Sequence, residues 1–269
     1  MYGVILAFKD FKPSLGIMGS PWAGMKYFER FFNSYLFSTT LKNTIILSLY
    51  NILVTFPLPI LLALCINQMR ARSYRKVFQV VTYLPHFIST VVLVGLLIIV
   101  MSPSVGIIGN LARLFGVQPI NFMGMPAAFS HLYVWSDVWQ NTGWDSIIYL
   151  AALSAVDPTL YEVATVDGAS KFQKLRYIDL PMILPTMITL LILRSGNIMS
   201  IAFEKIYLMQ NPLNIMNSEV LSTYVYKIGL LNTQYSLSAA VSLFNNVINF
   251  CLLIMVNQIS KRVSNNSLW

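Results

Sequence analysis

The stretch Glu162–Pro181, EVATVDGASKFQKLRYIDLP, is a polar segment between two apolar runs that are each long enough to cross a membrane. Asp157 and Pro158 precede it and predict a helix start, because Asp is a favoured N-cap and Pro suits the first helical position. Gly168 predicts the end of that helix. The pattern therefore predicts two short helices around a glycine turn, suited to contact with a soluble partner. The alternative is an ordinary solvated loop between membrane spans.

The composition places this stretch in a membrane protein. Of the 269 residues, 56% are hydrophobic and only 10% are charged, whereas a soluble domain averages about 25% charged residues. The mean hydropathy is +0.64. Only helices and closed barrels satisfy the backbone in lipid, and the long unbroken apolar runs lack the alternation of a barrel. We therefore predict an all-α integral membrane protein. The net charge of +8 is attributed to basic loops beside the membrane rather than to nucleic-acid binding.

Five full membrane spans are predicted, at about 41–66, 80–101, 131–155, 182–203 and 237–259. The positive-inside rule gives their orientation. The basic loops 67–76 and 156–181 and the tail 260–269 are predicted to be cytoplasmic, and the loops 102–130 and 206–235, poor in Lys and Arg, extracytoplasmic. Residues 41–259 then form one transmembrane domain with the cytoplasmic loop 156–181, followed by a cytoplasmic tail.

The first 40 residues are predicted to form a separate segment on the extracytoplasmic side or at the interface. The apolar stretch 1–8 is too short to span, and we interpret it as the tail of a truncated or missing first helix. Residues 25–37 place aromatic side chains at helical spacing with charges between them. This predicts an amphipathic interfacial segment or the lead-in to the first span. The basic residues of this N-terminal segment would lie outside the cytoplasm, against the positive-inside rule. A missing first helix would account for that disagreement.

Each predicted span carries a narrow polar stripe at helical spacing. Hydroxyl and amide stripes are typical of helix–helix hydrogen bonding in membranes. Ionisable residues cost roughly 2.5–3.5 kcal/mol at mid-bilayer and usually face a cavity or a partner. Asp145 and Arg194 are the deepest of these; they either pair with each other or meet a partner subunit or a substrate. The candidates for a substrate pathway are Asp137, Asn141, Trp144, Asp145, Arg194, Asn197, Glu204, Asn245 and Asn249.

These stripes also restrict the ligand chemistry. Hydroxyl and amide groups near tryptophans suit a neutral, hydroxyl-rich solute, and there is no ring of like charges that would select an ion. Cys65 and Cys251 form no metal or redox pattern, and we predict buried thiols. His86 and His131 also lack ligand spacing. No metal site and no catalytic residue is therefore predicted.

The spacing in the opening stretch resembles the EAA motif of binding-protein-dependent ABC importer permeases, E-A-A-x3-G-x9-I-x-L-P. Val163 replaces the first Ala and is the only departure. In that family the loop contains the coupling helix that docks on the ATPase subunit. The resemblance therefore implies a role in ATPase coupling for the matching residues, which are Glu162, Ala164, Gly168, Ile178, Leu180 and Pro181.

The resemblance covers nearly the whole chain. Tyr149–Leu153 and Leu160–Glu162 look like the approach to this loop in carbohydrate-type permeases. Ala7–Asp10, Phe203–Lys205 and Ser222–Lys227 resemble the branch associated with polysaccharide-derived oligosaccharides. The resemblance implies the MetI-like fold of a type I importer and oligosaccharide import across the cytoplasmic membrane of a bacterium by alternating access.

The resemblance also implies partners. These are ABC ATPase subunits, a second permease subunit and an extracytoplasmic solute-binding lipoprotein, in contact with membrane lipid and without nucleic acid. No Walker A sequence, G-x4-G-K-[ST], occurs in the chain, so ATP would be bound by the partner subunit and this chain would have no cofactor. Two alternatives stay open: the same architecture for a peptide or a sugar acid, which Arg194 favours slightly, and a non-transporting membrane scaffold.

Overall fold

The structure is a computed structural model that describes residues 3–69 and 71–264. Arg70, which belongs to the predicted basic loop 67–76, lies outside the described residues. So do Met1 and Tyr2 of the predicted first-helix tail, and residues 265–269 of the predicted cytoplasmic tail.

Helices make up the fold, and the predicted all-α class is confirmed. The described residues contain no strand beyond an isolated bridge between Lys9 and Trp22. The helices of eight or more residues are Tyr35–Thr55, Pro57–Asn67, Arg72–Tyr83, Thr90–Val100, Ile107–Leu114, Pro126–Ser154, Pro158–Val166, Leu180–Ser195 and Tyr235–Ser264. The shorter ones are Gly3–Leu6, Gly16–Gly19, Lys26–Phe32, Lys171–Lys174, Phe203–Met209, Ile215–Ser218 and Leu221–Tyr226. There are 3-10 turns at Pro13–Leu15, Leu84–Phe87 and Phe122–Gly124, and π-turns at Leu175–Asp179 and Lys227–Leu231.

Within the described ranges, three helical stretches are long and apolar enough to cross a membrane: Tyr35–Asn67, Lys171–Ser195 and Tyr235–Arg262. Two further candidates are pairs of helices joined across a bend, Arg72–Phe87 with Thr90–Val100 and Pro126–Ser154 with Pro158–Val166. Counting each pair as one span gives five, which is the number that the sequence predicts.

The predicted limits of the second and fourth spans are wrong. The second, at 80–101, is not one helix, because Pro85 lacks the N–H that an α-helix needs and the chain forms a 3-10 turn there. The fourth, at 182–203, belongs to a helical stretch that begins at Lys171 and ends at Ser195. Gly196 lies in the turn that follows, and residues 197–202 are not helical.

Because the helix of the fourth span ends at Ser195, three candidate pathway residues do not all lie on that helix. Arg194 lies in the last turn of its helix, Asn197 in the following turn, and Glu204 in the first turn of Phe203–Met209. These three side chains therefore lie on different elements and do not form one polar stripe along a single helix.

The chain divides into two compact units, each assembled from three stretches of sequence. The first unit contains Met1–Leu49, Thr90–Tyr133 and Gly196–Leu252. The second contains Tyr50–Ser89, Val134–Ser195 and Leu253–Trp269. The predicted coupling loop lies wholly within the second unit.

The core of the first unit is aromatic and includes the helix Lys26–Phe32. Phe31 is 1% exposed, and its ring centroid lies 5.0 Å from that of Phe37, 5.7 Å from that of Phe244 and 6.0 Å from that of Tyr224. The amphipathic pattern predicted for 25–37 therefore reflects packing of its apolar face on the core of this unit.

The core of the second unit joins the helices Pro57–Asn67, Pro126–Ser154 and Leu180–Ser195. Its buried members are Ile60, Ala63, Leu64, Ile66, Tyr149, Leu150, Leu153 and Ile183. Close helix packing occurs at Gly143, where an added Cβ would lie 2.0 Å from the carbonyl oxygen of Thr82.

The predicted burial of the two thiols is wrong, because Cys65 and Cys251 are both exposed. The surface of a spanning helix is in contact with lipid tails, which are as apolar as a protein core. A thiol behaves as a small apolar group, so the outer face of such a helix accommodates it.

Candidate functional site

The predicted coupling loop begins with a capped helix, Pro158–Val166. The Asp157 carboxylate accepts a hydrogen bond from the Thr159 backbone N–H at 2.9 Å, and Pro158 follows it at the first helical position. This hydrogen bond to the backbone lowers the pKa of Asp157 below its usual value. The predicted N-cap is therefore confirmed.

Gly168 ends this helix, as predicted. Its φ is +73°, a conformation that Gly adopts without the steric cost a Cβ would bring. Its N–H donates to the carbonyl of Thr165 at 3.1 Å, and the N–H of Ala169 donates to that of Ala164 at 2.8 Å. These two bonds form a Schellman motif.

A second short helix, Lys171–Lys174, starts directly after this turn. The hydroxyl of Ser170 accepts from the backbone N–H of Gln173 at 3.3 Å, and the amide oxygen of Gln173 accepts from the backbone N–H of Ser170 at 2.7 Å. This is a capping box. The helix–glycine–helix arrangement predicted from the sequence is therefore confirmed.

The surface of this loop combines charge with exposed apolar side chains. Glu162 is exposed, as are Val163, Val166 and Phe172, the last two at 88% and 69%. An apolar patch of this kind beside a carboxylate is typical of a protein-binding surface.

The remaining predicted coupling residues have different exposures. Ala164, Ile178 and Leu180 are half-buried, and Leu180 packs against the core of the second unit. Gly168 and Pro181 are exposed. The motif therefore contains an exposed part around Glu162 and an anchored part around Leu180.

The anchored part contains a residue that sequence reasoning missed, Asp179. It is completely buried and accepts hydrogen bonds from the Tyr161 hydroxyl at 2.5 Å and from Nε2 of Gln68 at 3.0 Å. Burial and the hydrogen bond to Asp179 together raise the pKa of Tyr161 to about 12. Beside this group lies a cavity of about 330 Å³ that is also lined by Lys171 and Lys174. The available signal was a carboxylate directly after the apolar position Ile178.

Among the spans of the second unit, the structure shows the first of the alternatives left open for Asp145 and Arg194, a pairing with each other. The two side chains form an ion pair, and the other terminal nitrogen of Arg194 donates to the hydroxyl of Thr55 at 3.0 Å. The ion pair offsets the charge of the cation that would otherwise favour an acidic solute.

A second polar network lies in the same unit. Nδ2 of Asn141 donates to Asp137 at 2.8 Å, and Nδ2 of Asn51 donates to the other oxygen of that carboxylate at 3.2 Å. The ring nitrogen Nδ1 of His86 lies 2.9 Å from Oδ1 of Asn141. The same imidazole stacks on Trp144 with 4.4 Å between centroids.

A cavity of about 500 Å³ adjoins these groups. Aromatic, aliphatic and charged side chains line it, namely Trp144, Asp145, Ile147, Ile148, Tyr149, Leu190 and Arg194. Ligand sites of small molecules are typically cavities of this size with a mostly apolar lining and a few polar groups.

The other candidate pathway residues lie in the first unit. Nδ2 of Asn249 donates to the Ser200 hydroxyl at 2.8 Å, and Oδ1 of Asn249 accepts from the Met199 backbone at 2.9 Å. Asn245 donates to the same hydroxyl at 3.4 Å. These bonds fasten the segment after Ser195 to the last long helix, as expected of hydrogen bonds between packed elements.

Asn197 and Glu204 are both exposed. Among the residues that the structure describes, no group of three His, Cys, Asp or Glu side chains is placed to hold a metal ion.

Helices long and apolar enough to span a membrane, together with an exposed, capped polar loop, fit the class of membrane-embedded transport subunits. The chain belongs to the family of binding-protein-dependent transport system inner membrane components, whose model matches residues 44–265. It is accordingly a multi-pass component of the cytoplasmic membrane with the fold of ABC importer permeases.

Individual relatives narrow the likeness to carbohydrate transporters. The polygalacturonan/rhamnogalacturonan transport system permease protein YteP of Bacillus subtilis is 39% identical over 269 residues, which is all of this chain and 84% of the relative. Protein LplB of the same organism is 38% identical over the same length and 85% of its own chain.

A solved structure agrees. A chain of a bacterial ABC transporter involved in the import of the acidic polysaccharide alginate matches with a TM-score of 0.91 and 39% identity. The match covers 97% of this chain and 88% of that chain. A second crystal structure, of the bacterial alginate transporter in complex with an alginate pentasaccharide-bound periplasmic protein, matches with the same TM-score.

Proposed function

We propose that this chain is the permease subunit of an ATP-driven importer that moves polysaccharide-derived oligosaccharides into the cell. The observation that carries the proposal is the loop around Gly168. It is an exposed pair of helices, each capped at its start by side chains, and anchored at Leu180. A rigid, anchored protrusion can pass on the movement of a bound partner, which a flexible solvated loop cannot.

In this proposal the partner is a separate ATPase subunit. Glu162 contacts it, and the exposed side chains of Val166 and Phe172 supply an apolar contact area. Because Gly168 sets the angle between the two short helices, both contact the partner at once. Closure of the ATPase dimer on ATP then moves the loop and opens the permease outward, and hydrolysis resets it inward.

The proposed solute follows from the side chains of the 500 Å³ cavity and from the relatives. Trp144 offers an aromatic face, and the Asp145–Arg194 ion pair offers acceptors and donors for hydroxyl groups. A second permease subunit and a solute-binding lipoprotein complete the proposed importer. The similarity to a transporter solved with a saccharide-loaded periplasmic protein supports this assembly.

A test of the proposal is the reversal of charge at Glu162. Glu162→Lys should abolish uptake of radiolabelled oligosaccharide while the protein stays in the membrane at its normal amount. Glu29→Lys is a matched control, because Glu29 is also exposed but lies on Lys26–Phe32 in the first unit. Normal uptake by the Glu162→Lys transporter would contradict the assigned coupling role.

A second candidate is import of acidic oligosaccharides. The observation that favours it is the likeness to the importer of the acidic polysaccharide alginate. Against it stands the pairing of Arg194 with Asp145, which offsets the nearest cation. Competition of neutral and uronate-containing oligosaccharides for uptake separates the two. Competition by the neutral sugars alone would rule out the acidic candidate.

A further inference from the structure

We infer that Asp179 is a positioning residue that ties the coupling loop to two membrane spans, and that transport per ATP depends on it. The group that does this is called here the Asp179 clamp, and it consists of Asp179, Tyr161 and Gln68. The inference rests on the proposed function, since it concerns the loop through which that function is driven.

The clamp joins three different helical elements of the second unit. Asp179 is the last residue of the π-turn and directly precedes the helix Leu180–Ser195. Tyr161 lies on the helix Pro158–Val166, beside Glu162. Gln68 is the C-cap of Pro57–Asn67, where the first span ends.

Each oxygen of the Asp179 carboxylate accepts one hydrogen bond, and the two donors lie on different helical elements. The Tyr161 hydroxyl donates to Oδ1 and the Gln68 amide donates to Oδ2. Hydrogen bonds to an ionised acceptor are about twice as strong as those between neutral groups. The Asp179 carboxylate therefore has one strong bond to the coupling helix and another to the end of the first span.

The surroundings make these bonds costly to break. The carboxylate is 0% exposed, and the neighbouring Leu175 and Leu180 pack against a core that contains Leu64. The carboxylate itself is closed to solvent, and a buried charge that loses a partner is strongly unfavourable. When the coupling helix moves, the clamp therefore favours movement of the two spans with it.

The EAA motif does not account for this arrangement. Asp179 occupies the open position between Ile178 and Leu180, and Tyr161 and Gln68 lie outside the motif. The clamp thus adds side-chain contacts to a loop whose motif is defined by other residues. It predicts a class of variant in which the ATPase still docks but its work is poorly transmitted.

The experiment measures uptake and ATP hydrolysis together in the complete transporter, reconstituted in lipid vesicles with its loaded binding protein. Tyr161→Phe removes only one hydroxyl. We expect uptake per ATP hydrolysed to fall about tenfold, because a hydrogen bond to a charged acceptor corresponds to roughly that change in an equilibrium. The ATPase subunits should co-purify as in the wild type.

Variants of Asp179 extend the test. Asp179→Leu removes both acceptors and should lower uptake per ATP at least as far as Tyr161→Phe. Asp179→Asn keeps an acceptor for Tyr161, and its amide can pair with a reoriented Gln68 amide, so the ratio should recover in part. Tyr35→Phe is the control: Tyr35 is 87% exposed, and removal of its hydroxyl should leave the ratio unchanged.

Two results would overturn the inference. One is a wild-type ratio of uptake to hydrolysis in Tyr161→Phe, even if less protein is recovered, since a purely structural role lowers the amount and not the ratio. The other is loss of the ATPase subunits on purification of that variant, which would assign Tyr161 to docking. Failure of the proposed function would look different from failure of this inference. In that case the wild-type chain itself would support no ATP-dependent uptake.

Discussion

Separating the charges of Asp145 and Arg194 should destabilise the permease in a way that the double variant partly reverses. Arg194→Gln leaves the Asp145 carboxylate without its counter-charge, and Asp145→Asn leaves the guanidinium with only its hydrogen bond to Thr55. The variant that carries both changes has neither charge. Its cost should therefore be smaller than the sum of the two single costs.

The exposure of the two side chains sets the expected size of this difference. Two unit charges about 4 Å apart attract by about 4 kcal/mol at an effective dielectric constant of about 20. The side chains are 33% and 30% exposed, so partial screening by water roughly halves that value. We therefore expect a coupling free energy of about 2 kcal/mol between Asp145 and Arg194.

The assay is thermal denaturation of the complete transporter in lipid nanodiscs, followed by the fraction that stays monodisperse after heating. The four combinations at the two positions form a double-mutant cycle. Arg113→Gln is the control, because Arg113 bonds to Asn110 and to the carbonyls of Pro103 and Ser104 and should add independently to Asp145→Asn. Strictly additive losses for Arg194→Gln and Asp145→Asn would refute the reasoning.

Two further predictions concern glycines and are tested by the same heating assay and by uptake. Gly143→Ala should destabilise the protein by several kcal/mol, because its Cβ would lie 2.0 Å from the carbonyl oxygen of Thr82. Gly95→Ala is the control and should be tolerated, because a Cβ there meets open space. Equal stability of the two variants would contradict the close packing at Gly143. Gly168→Ala should lower uptake, because a Cβ at φ +73° costs roughly 1–2 kcal/mol and tilts the coupling helices. Gly116→Ala, at φ +71° in the same kind of helix end, should leave uptake unchanged. Equal loss of uptake in the two variants would show that backbone strain alone is responsible.

The coupling loop was predictable because its signals are local. An N-cap Asp, a Pro at the first helical position and a Gly at the turn act through bonds to residues two to five positions away. Sequence patterns record such short-range chemistry directly. The sequence left the pairing of Asp145 with Arg194 as one of several alternatives, because an ionisable residue in a membrane can face a counter-charge, a partner subunit or a substrate.

The parts that sequence reasoning missed depend on contacts between distant residues. Asp179 obtains its donors from 18 and 111 positions away, and nothing in the composition around it records either. The early end of the fourth span has a similar cause. The residues after Ser195 are apolar enough for a helix. Instead, the Met199 backbone N–H and the Ser200 hydroxyl hydrogen-bond with the side chain of Asn249, which lies 50 and 49 residues later in the chain.

The π-turn at Leu175–Asp179 lies within the nine-residue interval of the motif and accommodates one extra residue there. Pro181 has no N–H to hold the preceding turn in α-helical register, and the chain takes one residue more in that turn. Each residue of an α-helix advances the helical phase by about 100°. Deleting one residue here would let the segment close as an ordinary α-helix. That deletion would shorten the loop but leave its exposed face on nearly the same side of Leu180–Ser195, because a π-turn fits its extra residue into about one helical turn. The interval of nine residues between Gly168 and Ile178 thus includes one residue that the π-turn absorbs, and a deletion within that turn should be tolerated better than a deletion in an α-helical part of the loop.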